Sequence, residues 1–368
     1  MGTRRRRGRK AIAGLPGYLL LLVLVLVWLF QELRPGPVPP AETGEAEVYF
    51  MPEEGPRAKA RLLALMDGAR ESLEGAFYEF RDLEVAQGLL RAKARGVRVR
   101  LYGESDYRED FRRYLVAASL GQREEPKERV KPLSLDCEEV VGIPICYDER
   151  EGFMHHKFLV VDGRAVWTGS TNMTWNAFAR NNENSLLLPS PTLAQGYARE
   201  FEALFGGQKE GLGQPVAFAL EGVEGVAYFS PRGGRLAREA LLKRLSEAQR
   251  EVLVAAFVLT DREVLEALLQ ARRRGAEVKV LLETRNLGTS REEALLEEGL
   301  EVRQDANPYT MHHKVMLLDG TYVVTGSYNF SVRAHEVNNE NLLVLKSPSL
   351  AERYRKEVLR LWEAGSPL

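Results

Sequence analysis

Two near-identical segments constrain the fold of this chain more than any other feature of its sequence. MHHKFLVVDGRAVWTGSTN spans residues 154–172, and MHHKVMLLDGTYVVTGSYN spans residues 311–329. The offset of 157 that superposes them continues downstream and pairs Glu183 with Glu340. Upstream, as far as Glu104, the copies align at an offset of 179. The chain is therefore predicted to contain the same arrangement of elements twice. The first copy has 22 additional residues, the difference between the offsets of 179 and 157.

Each copy shows the same order of predicted elements. The first helix is indicated by apolar residues at i, i+3 and i+4 spacing, and a short apolar strand is expected next, from about Leu73 to Phe80. A second helix should run to Lys93, and the alternating VRVRLYGE predicts a strand. Apolar runs on both sides of Asp162-Gly163 predict a hairpin. The helix prediction depends on Leu62, Leu65, Met66, Ala69 and Leu73.

The mixture of strands and crossover helices predicts an α/β fold, with a mixed sheet flanked by helices in each copy. With 368 residues the chain is long enough for two cores of ordinary size. The predicted organisation is a basic tail and membrane anchor (1–34), a linker (35–45), a first half (46–205), a second linker (206–221) and a second half (222–368).

The predicted anchor is an apolar segment near the N-terminus. Ala11 to Phe30 contains 20 residues without a charge, which at helical rise is enough to cross a bilayer of roughly 30 Å. Six basic residues precede it, so the N-terminus is expected in the cytoplasm and the bulk of the chain outside. A secreted protein with a cleaved signal peptide has the same layout and is the alternative, although no small-x-small cleavage site follows Phe30.

Outside this segment the chain is acidic. Residues 1–34 hold seven of 51 basic and one of 52 acidic residues, which leaves 44 against 51, or a net charge of −7. This balance argues mildly against a nucleic-acid partner. Cys137 and Cys146 are nine residues apart, so a disulfide is feasible, and two free thiols are the alternative.

Histidine is rare and concentrated. Four of the five histidines stand in the two HHK tripeptides. Alternate residues of a strand share a face, so His155 is expected to project with Lys157, whereas His156 projects into the core. The same alternation places His312 with Lys314. The lysine opposes a metal cation and favours an anion, so neither a metal nor a cofactor is expected.

The two segments resemble the signature of the phospholipase D superfamily, HxKxxxxDxxxxxxGSxN. The resemblance extends over most of residues 46–368 and implies one active site at the pseudo-twofold interface of the halves, without a cofactor. The matching residues are His155, Lys157, Asp162, Gly169, Ser170 and Asn172, then His312, Lys314, Asp319, Gly326, Ser327 and Asn329.

The resemblance also implies a role for each residue type. His155 is expected to be the nucleophile that forms a phosphohistidine and His312 the general acid and base, although the two roles could be reversed. Glu183 and Glu340 would each orient the histidine of the opposite half. The remaining expectations are phosphate binding by Lys157, Lys314, Asn172, Asn329, Ser170 and Ser327, and either a catalytic or a turn-fixing role for Asp162 and Asp319.

The predicted reaction is hydrolysis of a phospholipid head group to phosphatidic acid, by a monomer that contains its own pseudo-dimer. A metal-independent endonuclease is the alternative, because GSTNMTWNAFARNNEN and its counterpart look more like the endonuclease and mitochondrial cardiolipin hydrolase branch of the family than like the synthases. A phosphatidyl transferase such as cardiolipin synthase ranks third. The extra residues of the first half lie within Asp106 to Phe153 and include the apolar VVGIPI. They are predicted to form a lid or lipid-contacting loop, with an inert insertion as the alternative.

Overall fold

The structure is a computed structural model that describes residues 34–120 and 129–368. The predicted anchor, Ala11 to Phe30, lies outside the described residues. Within the described ranges, no helix is both long enough and apolar enough to span a bilayer.

The first half contains eleven described strands, nine of which form one mixed sheet in the order β1-β11-β9-β8-β2-β4-β7-β6-β5, while β3 and β10 pair separately. Their bounds are β1 (Glu47–Met51), β2 (Ser72–Phe77), β3 (Phe80–Arg81), β4 (Arg98–Glu104), β5 (Val130–Pro132), β6 (Cys137–Val140), β7 (Ile143–Asp148), β8 (Lys157–Val161), β9 (Ala165–Gly169), β10 (Met173–Thr174) and β11 (Glu183–Leu188).

Five described α-helices connect these strands. The chain begins its helices where side chains can accept the free backbone N–H groups: Asp82 caps the second helix, and Ser190 caps the fifth. Their bounds are α1 (Gly55–Gly68), α2 (Leu83–Ala94), α3 (Arg108–Ser119), α4 (Trp175–Ala179) and α5 (Pro191–Phe205), with a 3₁₀ turn at Ser105–Tyr107.

The second half repeats this arrangement. Its described strands form a mixed sheet in the order β12-β13-β19-β18-β17-β14-β15-β16-β20. The strands are β12 (Val216–Leu220), β13 (Val223–Ser230), β14 (Glu251–Ala256), β15 (Glu277–Leu282), β16 (Glu301–Gln304), β17 (Lys314–Leu318), β18 (Tyr322–Gly326), β19 (Glu340–Lys346) and β20 (Ser366–Pro367). The helices are α6 (Gly234–Glu247), α7 (Arg262–Arg273), α8 (Glu292–Glu297), α9 (Val332–Glu336) and α10 (Pro348–Ala364), with a 3₁₀ turn at Thr284–Asn286.

The hydrophobic core continues from one half into the other. Helices α5 and α10 bury their apolar faces in a cluster that contains residues of both sheets, from Val48 to Trp362. A separate cluster fills the outer side of each half. Four polar contacts cross the common core in equivalent pairs, because Asn184 Nδ2 donates to Thr325 and Tyr354, and Asn341 Nδ2 donates to Thr168 and Tyr197. The two halves therefore share one interior.

Two element boundaries and the environment of one apolar segment differ from the prediction. Helix α1 ends at Gly68, so Ala69 lies beyond it and Leu73 belongs to strand β2; both are buried against the same core, which explains why they fitted the helical spacing. Strand β12 occupies residues 216–220, which the prediction placed in the second linker. The apolar VVGIPI is not an exposed loop, since it forms the turn and strands of the β6–β7 hairpin and is largely buried.

Candidate active site

Two short bridges between the halves position the histidines. Met154 pairs with Asn339, and the His155 backbone N–H donates to the Asn339 carbonyl at 3.0 Å. In the equivalent bridge, the His312 backbone N–H donates to the Asn182 carbonyl at 2.9 Å. Each histidine therefore lies two residues before a central strand of its own half, and its backbone N–H contacts the residue directly before a strand of the other half.

The imidazoles contact carboxylates across the interface. Nδ1 of His155 lies 2.8 Å from Oε2 of Glu340, and Nδ1 of His312 lies 2.9 Å from both oxygens of Glu183. Both glutamate side chains are completely buried. A carboxylate at Nδ1 fixes the orientation and tautomer of the ring, so Nε2 is the nitrogen that remains for chemistry.

The glycine and serine of each motif hold these glutamates in place. A Cβ on Gly169 would lie 2.1 Å from the Asn184 carbonyl oxygen, so the backbone can pass this close only without a side chain. The Ser170 hydroxyl then donates to Glu183 at 2.6 Å. Ser327 also hydrogen-bonds its own glutamate. The hydroxyls of both serines thus contact Glu183 and Glu340, and phosphate binding by these serines stays a prediction.

Both lysines are buried beside their histidines. Lys157 Nζ donates to the His155 carbonyl at 2.6 Å and lies 4.9 Å from the centre of the Tyr78 ring. Lys314 makes the equivalent contacts, at 2.8 Å with the His312 carbonyl and 4.8 Å from Phe257. The aromatic faces favour the cations, and the charges of both lysines act on each of the two histidines.

Asn172 and Asn329, the asparagines of the two motifs, each have a side-chain oxygen that can accept a further hydrogen bond. Their side-chain oxygens are buried and make no hydrogen bond within the described residues. A buried amide oxygen normally accepts a hydrogen bond, so each of these two oxygens can take a donor such as water or a hydroxyl group. The structure thus brings together the predicted histidines, lysines and glutamates, and Asn172 lies near them beside Glu79.

Burial and positive charge make the site receptive to an anion. Burial, followed by the charges of both lysines, holds the pKa of His155 and of His312 well below the ordinary value. Burial lowers the pKa of Lys157 to about 8 and of Lys314 to about 7. A bound phosphodiester would reverse these shifts, because its negative charge stabilises each protonated form.

The two aspartates of the motifs are not part of this constellation. Asp162 has a left-handed backbone, φ 52°, in the turn between β8 and β9, and its carboxylate accepts from the backbone N–H groups of Arg70, Glu71 and Ser72. Asp319 accepts in the same way from Gln249, Arg250 and Glu251. Of the two roles predicted for them, the structure supports the fixing of the turn and places neither carboxylate beside the histidines.

The prediction missed the residues in contact with each catalytic ring. Tyr78 lies against His155 with ring centres 4.7 Å apart, and Phe257 lies against His312 at 4.6 Å. The following residue breaks the symmetry. Glu79 lies 3.5 Å from the Asn172 amide nitrogen, whereas the residue at the same position of the second half is Val258. The offset of 179 pairs these residues and could have indicated them.

A second missed pair consists of Glu104 and Glu283. Glu104 accepts from the backbone N–H of Met154 at 2.7 Å, directly before His155, and Glu283 accepts from that of Met311. Burial raises the pKa of Glu104 to about 7. The same offset of 179 had paired these two glutamates, but nothing in it indicated their contact with the histidine loops.

His156 and His313 lie inside the common core. His156 packs against Phe158 and Phe229, and His313 against Phe50. Nδ1 of His313 lies 3.2 Å from the Asn184 side-chain oxygen. Their burial confirms the alternation that was predicted for the HHK tripeptides.

Two histidine–lysine pairs and two crossed glutamates meet at the interface of two α/β halves and form a site that is receptive to an anion. The chain belongs to the phospholipase D superfamily, because the family model described as "Cardiolipin synthase, PLD-like domain" matches residues 62–205 and 241–362. Among solved structures, phosphatidylserine synthase of Haemophilus influenzae superposes with a TM-score of 0.63, covering 93% of this chain and 91% of that chain. At 12% identity, this likeness shows the fold alone.

Curated relatives are similar over part of the chain. A mitochondrial cardiolipin hydrolase of Xenopus tropicalis is 33% identical over 207 residues, which cover 53% of this chain and 89% of that protein. Its Xenopus laevis counterpart is 36% identical over 148 residues, 40% of this chain and 61% of that protein. A phospholipase D of Rickettsia typhi is 33% identical over 128 residues, 34% of this chain and 62% of its own length. The chain thus spans less than two thirds of two of these three relatives.

Proposed function

We propose that this protein hydrolyses the head-group phosphodiester of a phospholipid to phosphatidic acid at a single site built from both halves. The crossed contacts His155–Glu340 and His312–Glu183 are the observation that carries the proposal. His155 and His312 each take their carboxylate partner from the opposite half, so the site requires both halves. The relatives named phospholipase D and cardiolipin hydrolase support a phospholipid as the substrate.

In the proposed mechanism, Nε2 of neutral His155 attacks phosphorus and forms a phosphohistidine. The bond from phosphorus to the head-group oxygen breaks, and that oxygen takes a proton from His312, which becomes protonated when the anionic substrate binds beside it. The now neutral His312 next accepts a proton from water as the water attacks phosphorus. The P–N bond breaks, and phosphatidic acid and free His155 result.

The other residues of the site stabilise charge during both steps. Lys157 and Lys314 face the non-bridging oxygens, whose negative charge increases in each transition state. The amides of Asn172 and Asn329 can donate to the same oxygens. Because these groups carry positive charge or donate hydrogen bonds, the proposed steps need no further cation.

The test is hydrolysis by the full chain in EDTA of labelled phosphatidylcholine, labelled cardiolipin, single-stranded DNA and bis-p-nitrophenyl phosphate. Lipid cleavage that is lost in both His155→Ala and His312→Ala is the expected result. Arg164→Ala is the matched control, because this exposed residue belongs to the same repeated segment but lies in the turn. Cleavage of DNA but not of lipid would replace the proposal by the endonuclease alternative.

The proposal includes a place in the cell: a membrane anchor at residues 11–30, with the N-terminus cytoplasmic and the catalytic halves outside. The apolar segment and the six basic residues before it support this topology. The disulfide between Cys137 and Cys146 also supports it, because disulfides persist in oxidising compartments. Protection of the catalytic halves from protease added to the outside of intact cells would contradict the topology.

A further inference from the structure

The first half carries a hairpin that the second half lacks, and its turn exposes leucines. Strands β5, β6 and β7 form the outer end of the first sheet, and residues Leu133–Asp136 connect β5 to β6. We name these four residues the leucine turn. Leu133 is 48% exposed and Leu135 is 89% exposed, the highest value among the large apolar residues described as exposed. The preceding Lys131 is also exposed.

The leucine turn lies at the end of the first sheet where strands β4 and β7 finish, and the active site lies at this same end. Strands β4 and β7 run parallel and end together, with Glu104 opposite Asp148. Glu104 is the residue that holds the backbone before His155. Because β6 runs antiparallel to β7, with Cys137 opposite Cys146, the turn before Cys137 emerges at this same end.

A chain of direct contacts connects the leucine turn to the histidine. Asp136 forms an ion pair with Lys209 at 2.9 Å. The Lys209 carbonyl accepts from the Asn339 amide at 3.1 Å, and the Asn339 carbonyl accepts from the His155 backbone N–H at 3.0 Å. The turn is therefore held in a constant position relative to the site.

The base of the hairpin is tied down. A disulfide joins Cys137 to Cys146 across β6 and β7, directly next to the turn. The backbone N–H groups of Leu133 and Ser134 both donate to the Cys137 carbonyl, at 2.9 and 3.0 Å. The leucines thus project from an ordered support, and little conformational entropy is lost when they enter another phase.

We propose that the leucine turn inserts into the surface of a phospholipid bilayer and so presents the active site to lipid phosphates. The proposal rests on the proposed function, because only a lipid substrate requires the site to work at a bilayer surface. Exposed leucines gain free energy in the acyl region, and Lys131 beside them suits anionic head groups. Phe153, which is 38% exposed two residues before His155, extends the apolar contact toward the site.

Insertion is tested by tryptophan reporters in the full chain, reconstituted into phosphatidylcholine vesicles whose acyl chains are brominated. Leu135→Trp is the reporter. Leu120→Trp is the matched control, because Leu120 is also exposed, at 55%, but lies at the far end of helix α3. We expect quenching of the added fluorescence several-fold greater in Leu135→Trp than in Leu120→Trp. Equal quenching would overturn the proposal, and this measurement does not depend on catalysis.

Catalysis gives the second test. Leu133→Ser combined with Leu135→Ser should lower hydrolysis of vesicle phospholipid about tenfold, the order expected for burial of a leucine side chain. Hydrolysis of soluble bis-p-nitrophenyl phosphate should stay within about twofold of wild type. Equal losses on both substrates would contradict the inference. Failure of the wild type to hydrolyse any lipid would instead refute the proposed function, and the quenching result would still stand.

Discussion

His155 and Glu340 are 185 residues apart in the chain, yet Nδ1 of the histidine lies 2.8 Å from Oε2 of the glutamate. The contact crosses the interface between the halves, and the contact between His312 and Glu183 crosses it in the opposite direction. Each half therefore orients the reactive ring of the other. Catalysis should therefore depend on both crossed contacts and on the burial of the two glutamates.

Removing the charge of either glutamate should slow catalysis more than it weakens binding. Glu183→Gln and Glu340→Gln keep the shape of the side chain but lose the carboxylate that fixes the imidazole tautomer. We expect kcat to fall roughly 10- to 100-fold or more, with little change in KM. Steady-state kinetics with bis-p-nitrophenyl phosphate measures both. Ser170→Ala should cause a smaller loss, since it removes one hydrogen bond to Glu183; a fall in kcat/KM through KM alone would contradict the positioning role.

The division of roles between the histidines can be read from a trapped intermediate. If His155 attacks and His312 supplies the proton, a His312→Ala variant that receives a substrate with a good leaving group should accumulate a phosphohistidine on His155. Peptide mass spectrometry after alkaline quench would detect it. His155→Ala should give no adduct on His312. The opposite pattern would exchange the two roles.

Anion binding should change the protonation of the active-site histidines. Their pKa values are held well below the ordinary range, so both rings should stay neutral at neutral pH in the free protein. Inorganic phosphate adds negative charge beside them and should raise at least one pKa. With five histidines in the chain, ¹H–¹⁵N NMR can follow each ring during the titration. Unchanged ring signals at saturating phosphate would count against an anion site here.

The aspartates of the motifs should matter for stability and not for turnover. Asp162→Asn weakens charge-assisted hydrogen bonds to three backbone N–H groups, and Asp319→Asn does the same in the other half. We expect each variant to lower the free energy of unfolding by about 1–3 kcal/mol. The kcat of the folded protein should remain within about twofold of wild type. A kcat loss as large as that of Glu183→Gln would restore the catalytic role.

A buried carboxyl outside the site should make stability depend on pH. Glu200 accepts from the backbone N–H groups of Leu212 and Gly213, and burial raises its pKa to about 7. The folded protein holds a proton that the unfolded chain releases near pH 4.5, so this stabilisation is complete below about pH 4.5 and is lost as pH rises through 7. Relative to Glu200→Gln, the wild-type Tm should therefore fall between pH 5 and pH 8. Parallel Tm curves would exclude a raised pKa.

The sequence allowed prediction of those features that depend on local pattern or on repetition. The Asp162-Gly163 turn, the alternation of His155 and His156, and the strands β2, β4, β8 and β9 follow from residues that are close in sequence. The crossed histidine–glutamate contacts were expected from the family resemblance alone, because no local pattern shows which half supplies the carboxylate to a ring.

Other features depend on side-chain directions that the sequence does not contain. The serine hydroxyls turn toward the buried glutamates because a buried carboxyl group without a hydrogen-bond partner costs free energy, and each serine supplies that partner. The VVGIPI run has the composition of a buried strand as well as that of an apolar loop, and the β6–β7 hairpin buries it. A lipid-contacting loop was predicted within Asp106 to Phe153 as a whole, and the leucine turn was not singled out because its two leucines are surrounded by polar residues and proline.

The continuity of the two halves in one chain has a consequence for the leucine turn. A homodimer with a true twofold axis must repeat every feature, so each insertion beside one active-site residue appears again beside its symmetry mate. Covalent fusion removes that requirement. Here the first half carries the leucine turn next to its disulfide, while the second half has the parallel strand pair β15–β16 at the corresponding place. The molecule can thus contact a flat surface through the first half alone. A symmetric pair of identical halves would instead present the same projection twice.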